Sequence, residues 1–343
     1  MFVDGSVWSS GFNSEGQLGV GSTVPSRVFL PVFARGARAI AAGPGHSIIV
    51  KRDGSVWAAG DNSFGQLGEG TALNQLNFHF VKSIRYHIVG TNDAAAGSAH
   101  TMLVTHEGRA WASGWNKFGQ LGDGTNTDSK HFISVFHDGA QAISAGDVHS
   151  VVLHRDGSVW ATGQNLYGQL GDGTINPKNS FTKVITGLTK AVAAGAYHTL
   201  AVRYHNVWAT GWNKYGQLGD GSIIDRHDYV RVVHGGCKAI AAGSRHSMIL
   251  KYDGSVLVTG YNLYGQLGDG TTMDRKTFFM VITEKAIAVA AGAHHSIVLK
   301  HDGTVWASGS NNYGQYGDGS TTSTNTFVKV VARTPGTDCP CRI

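Results

Sequence analysis

Six histidines in this chain stand directly before a hydroxyl residue: His46-Ser47, His100-Thr101, His149-Ser150, His198-Thr199, His246-Ser247 and His295-Ser296. A base beside a hydroxyl is the raw material of nucleophilic catalysis, and six imidazoles in register suggest a metal or acid–base array. Neighbours on an extended strand point to opposite faces, however, so no such pair can hydrogen-bond as base and nucleophile. Recurrence at one point of every repeat is what a structural requirement produces, with an imidazole satisfying buried polar groups where a strand turns.

The other chemical candidates weaken in the same way. Asp123, Asp172, Asp220, Asp269 and Asp318 sit in Gly-Asp-Gly turns. One per repeat, they stand too far apart to share calcium, and Asp-Gly is ordinary turn chemistry. The glycine-rich stretches lack the lysine of a phosphate loop and lead into strands rather than a helix N-terminus. Cys339 and Cys341 could bind a soft metal or oxidise, although a plain tail is the simpler reading. The expectation is no catalytic constellation, no metal and no cofactor.

The elements that carry these residues follow from repetition. Gly-x-Asn-x-x-Gly-Gln-x-Gly begins at Gly11, Gly60, Gly114, Gly163, Gly211, Gly260 and Gly309, at intervals of 49, 54, 49, 48, 49 and 49 residues. Ala-Gly-x-x-His-(Ser/Thr) occurs six times, and an Asp-Gly-Ser-Val-Trp-like turn and strand lies between the two motifs. Each unit parses into four short extended stretches such as KAIAAG, HSMILK, SVLVTG and DYVRVV, rich in Val, Ile and Ala and bounded by glycine turns. Four strands in a repeat of about 49 residues make a propeller blade. The small Ala-Ala-Gly strand belongs innermost, where blades converge.

The expected fold is therefore all-β: a seven-bladed β-propeller of four-stranded blades, one domain over residues 1–331, followed by a tail at 332–343. Residues 1–33 carry only the two outer strands of a blade, and six full repeats run from about 38 to 331, so one blade is incomplete. Three explanations compete: a truncated chain, a ring that tolerates a two-stranded blade, or a partner that supplies the missing strands. Truncation is the favoured one.

These three motifs resemble those of the regulator of chromosome condensation repeat family, over essentially the whole chain from Met1 to about Val331. The family's namesake is a guanine nucleotide exchange factor for the nuclear GTPase Ran, whose Gly-x-x-His loops face the GTPase. By resemblance, Asp147 in AGDVHS and His294 and His295 in AGAHHS match elements that matter there. Two departures count against exchange: no basic N-terminal tail, and only a five-residue lengthening around Ile84 to Asn92 where a wedge would be needed. The plant ultraviolet photoreceptor of this fold uses Trp in Gly-Trp-Arg-His-Thr loops, and none of the six loops here has one.

Composition bounds the rest. Glycine is 48 of 343 residues and proline only 6, against both a disordered and a collagen-like chain. No apolar run nears the roughly 20 residues of a membrane span, no signal peptide is visible, and three cysteines make no disulfide framework. The reading is an intracellular protein, cytoplasmic or nuclear, with no membrane partner. The net charge of +5 is mild, unlike that of a nucleic-acid-binding tail.

Strand order assigns loops to faces. The turns joining first to second and third to fourth strands open on one side, where residues between motif positions vary. Trp115, Asp147, Tyr197, Trp212, Arg245, Tyr261, His294 and His295 form the candidate partner-binding set, since Trp, Tyr and Arg dominate interface anchors. The opposite side gathers basic residues, among them Lys51, Arg52, Arg155, Lys251 and Lys300, a candidate surface for an acidic partner. The leading expectation is a non-enzymatic propeller that binds a protein; the alternative is exchange on a small Ran-like GTPase.

Overall fold

Among the described residues, short runs of Val, Ile, Ala and Trp between glycine turns fold into 26 strands, β1–β26, with no helix. The computed structural model describes residues 1, 4–81 and 90–331. The tail with Cys339 and Cys341, and the lengthened loop up to residue 89, lie outside them.

The chain opens with a two-stranded sheet, β1 (Val7–Gly11) and β2 (Ser26–Phe33). Six four-stranded antiparallel sheets follow, over 37–80, 91–136, 140–185, 189–233, 237–282 and 286–331. In the first of these blades the strands from the axis outward are β3 (Ala37–Ala42), β4 (His46–Lys51), β5 (Val56–Gly60) and β6 (Gln75–Phe80). The last has β23 (Ala286–Ala291), β24 (His295–Lys300), β25 (Val305–Gly309) and β26 (Thr324–Val331).

Seven isolated bridges link each sheet to the outermost strand of the next. They run from Val20↔Asn77 through Glu69↔His131, Asp123↔Ser180, Asp172↔Asp228, Asp220↔Thr277 and Asp269↔Thr326 to Val28↔Asp318, which closes the circle on β2. The sevenfold count expected from the motifs therefore needs correcting: six four-stranded blades form the ring, and a two-stranded sheet lies between the sixth and the first. The reason is that residues 1–33 form only the strands corresponding to β5 and β6.

The core is a set of dry layers between blades. Ile48, Val50, Leu67, Leu103 and Phe132 join the first blade to the second, and Met248, Leu250, Leu267 and Val298 join the fifth to the sixth. Each such side chain taken from water contributes about 1.5–3 kcal/mol. At the axis the blades approach too closely for any side chain. A Cβ on Gly43 would overlap the carbonyl oxygen of Gly97, and the same holds from Gly97 to Gly146, Gly195, Gly243 and Gly292 in turn. Ala-Ala-Gly is innermost for that reason.

Candidate protein-binding face

The glycine motif is a rigid loop builder. Asn165, fully buried, accepts the Leu170 N–H on Oδ1 at 3.0 Å and donates from Nδ2 to Asp172 and the Thr174 carbonyl. The Gln169 Oε1 accepts the Tyr167 N–H at 3.0 Å. The same pair of bonds recurs at all seven copies, from Leu18 onto Asn13 to Tyr316 onto Asn311. Gly211, at φ 103°, opens one copy in the left-handed region where a Cβ would strike the Tyr197 carbonyl. The Gly-Asp-Gly carboxylates brace the same loops: Asp172 meets Lys178 and Asp220 meets Arg226.

The histidines do meet hydroxyls, but across blades. His46 Nε2 lies 2.8 Å from Thr101 Oγ1, and His100–Ser150, His149–Thr199, His198–Ser247 and His246–Ser296 repeat the contact at 2.8–3.0 Å. Each hydroxyl donates in turn to a glutamine carbonyl at 2.7 Å, as Thr101 does to Gln66. Its only proton is thereby committed, so the imidazole must donate from Nε2–H. An Nε2 that carries a proton cannot take one, and the pair is a strut between blades. Burial pushes His46 and His198 down to about 4 and His100, His149 and His246 down to about 3, which keeps these rings neutral.

On the loop face the structure brings together five of the eight candidate residues. Tyr167, Tyr197 and Trp212 form a mutual triangle with ring centroids 5.5–5.9 Å apart. Trp212 touches Tyr215, Tyr215 touches Tyr261, and Tyr261 and Tyr264 both touch His294. One aromatic belt thus spans the third to sixth blades. The Arg245 guanidinium sits 5.6–5.7 Å from the rings of Trp212, Tyr215 and Tyr261, without a hydrogen bond or ion pair among the described residues. Burial raises the Asp147 carboxyl while the field of Arg245 opposes that rise; burial followed by Arg245 lowers His294. Trp115 stands apart, against Phe64 and Phe118.

The RCC1-like domain matches residues 1–232, and the regulator of chromosome condensation (RCC1) repeat matches 237–266, 286–315 and 253–299. The chain belongs to the RCC1 repeat family. The Ultraviolet-B receptor UVR8 of Arabidopsis thaliana is 30% identical over 135 residues, 38% of this chain, and the match spans 30% of that receptor's length. Human WBSCR16 matches at TM-score 0.85 and 22% identity, covering 95% of this chain and 94% of that one. Prp20p from Saccharomyces cerevisiae matches at TM-score 0.82 and 20% identity, covering 97% and 87%. At such identities these solved structures share the fold.

Within this RCC1-repeat propeller His295 needs reassignment. It begins the strand β24 at the position of the inter-blade struts, rather than standing on the loop face with His294. The basic candidates lie at the other end of the same strands, since β4 runs from His46 to Lys51 and β24 from His295 to Lys300. Lys51 pairs with Asp53 at 3.5 Å, Lys300 lies 4.2 Å over the Trp306 ring, and Arg155 donates to the His106 carbonyl at 2.6 Å. Lys251 lowers Asp253, after the hydrogen bonds from Ser255. Lys51, Lys251 and Lys300 are thus partly satisfied within their own turns, and Arg155 by the turn of the neighbouring blade. Reading variable positions alone overlooked Tyr167, Tyr215 and Tyr264. The available signal was an aromatic residue just before the second motif glycine in six of seven copies, from Phe64 to Tyr313.

Proposed function

We propose that this RCC1-repeat propeller is a non-enzymatic protein-binding scaffold whose partner docks on the aromatic belt around Arg245. The observation that carries this reading is the guanidinium held among three rings with its donors uncommitted to any acceptor among the described residues. Preordered aromatics and arginine are the usual anchors of interface energy, and a rigid frame lowers the entropy cost of binding. Exposed Leu166, Leu263 and Tyr264 extend the apolar rim. The partner is an intracellular protein. The test is affinity capture with the wild-type chain beside the double variant Trp212→Ala/Arg245→Ala. A protein retained by the first and lost by the second fits the reading; identical captures reject it.

The second reading is guanine nucleotide exchange on a Ran-like GTPase. It rests on Asp147 and His294, which stand on this same face and match the exchange factor's motif positions, and on Prp20p, whose structure was described with its binding to Gsp1p and histones. Nucleotide release from a panel of small GTPases separates the two readings: acceleration that is lost in Asp147→Ala favours exchange, and no acceleration removes it.

A further inference from the structure

Two grooves at the end of the blades opposite the aromatic belt have matching aromatic walls and differ in charge. Each lies where the last residue of an outermost strand meets the third strand of the next sheet. In one, Phe33 at the end of β2 meets Trp57 on β5, with ring centroids 5.6 Å apart. In the other, Phe136 at the end of β10 (Ser129–Phe136) meets Trp160 on β13 (Val159–Gly163), also at 5.6 Å. The first groove holds a cation of its own: Lys51, the last residue of β4, places its ammonium 5.8 Å from both ring centroids. At the same position, the end of β12 (His149–His154), the second groove has His154, whose Nδ1 lies 2.8 Å from Asp156 Oδ1.

The shorter side chain leaves a cleft of about 390 Å³, lined by Phe136, Trp160, Phe181, His154 and Asp138 among others. Trp160 and Phe181 stand at 76° and 87° to Phe136, so the walls meet near right angles. The turn that follows changes sign as well, since Phe33-Ala34-Arg35 in the first groove corresponds to Phe136-His137-Asp138 in the second. An exposed carboxylate thus stands where the first groove carries a guanidinium. Two further cations are near but do not fill the cleft. Lys183 Nζ is 4.9 Å from the Trp160 ring without belonging to the lining, and Arg155 is engaged by the His106 carbonyl.

We propose that this cleft is a binding site for the side-chain ammonium of a partner's lysine, held best when that lysine is trimethylated. Ring faces attract a cation through their quadrupole, and a methylated ammonium sheds its water more readily than a primary one. Asp138 supplies the opposite charge. Lys51 is the internal precedent, a lysine on the same pair of walls. The site is separate from the aromatic belt around Arg245 and stands or falls independently of it.

The probe is a Gly-Ser peptide with one trimethyllysine, titrated into the full chain and followed by NMR at the Trp160 indole N–H. That signal is assigned by its loss in Trp160→Leu, the residue type that the fifth blade carries as Leu257. The expected result is a saturable shift with a dissociation constant of about 1 mM. Peptides with unmethylated lysine, or with a neutral tert-butyl carbon in place of the trimethylammonium, should bind about tenfold more weakly. His154→Lys fills the cleft from within, as Lys51 fills the first groove, and should abolish binding with an unchanged melting temperature. Asp138→Arg, which copies Arg35, should weaken it about fivefold. No saturable shift up to about 10 mM peptide would overturn the proposal. So would equal binding of the neutral peptide, which makes the cleft merely apolar, or undiminished binding to His154→Lys. Free choline that binds more tightly than the peptide also overturns it, by giving the cleft to a small molecule.

Discussion

Acid should dissolve this ring in a narrow window, because its inter-blade struts are neutral imidazoles without contact with water. Burial holds His46, His100, His149, His198 and His246 at about 3–4, against an ordinary value of 6.5. Below pH 6.5 the unfolded chain takes up a proton on each, and the folded chain does not. Their contribution to stability is therefore complete above pH 6.5, falls with pH below it, and levels out only near 3–4. At pH 5 the loss is about 2 kcal/mol per histidine and about 10 kcal/mol for the five, comparable with the entire stability of a typical domain. The slope there is about 7 kcal/mol per pH unit. Urea unfolding between pH 7.5 and 5, followed by tryptophan fluorescence and circular dichroism at constant ionic strength, measures it. His149→Gln keeps a donor for Thr199 and cannot titrate, so it should reduce the slope by about a fifth even if it lowers stability at pH 7.5. A denaturation midpoint that stays level from pH 7.5 to 5 would refute the argument.

Other expectations concern single contacts. Gly146→Ala drives a Cβ into the Gly195 carbonyl and should cost about 3 kcal/mol in chemical denaturation, more than Gly292→Ala, which has no neighbouring carbonyl to strike. Asn165→Ala leaves the Leu170 N–H buried without an acceptor and should lower stability by about 3 kcal/mol, again read from denaturation. The pair Trp212→Ala and Arg245→Ala should weaken binding of a captured partner about a hundredfold in surface plasmon resonance, with an unchanged melting temperature. Replacing Lys51, Arg52, Arg155, Lys251 and Lys300 together by Glu should abolish binding of an acidic partner to the opposite face; a dissociation constant unmoved by this change removes that surface from consideration.

Much of the architecture was legible because blade chemistry is local. The Asn and Gln of the glycine motif reach backbone groups five and two residues away, so their bonds are written within one loop and recur with it. The run of Ala, Ala and Gly announces a strand with no room beside it. Neither feature needs the rest of the chain to be interpreted.

What the linear sequence left undecided is whatever one blade does to the next. The adjacent His149-Ser150 pair suggested no bond, correctly for neighbours on a strand, yet His149 finds Thr199 fifty residues on, because stacking brings successive second strands face to face. Arg245 is one variable loop residue until the curvature of the ring sets Trp212, Tyr215 and Tyr261 around it. His295 shares its motif with five struts and differs from them only by what stands on its other side. The sequence alone determined the repeating unit, since its turns close over a few residues. Only the tertiary structure decided which copies are partnered and which face gathers the aromatics, since those depend on where the ring places one copy against another.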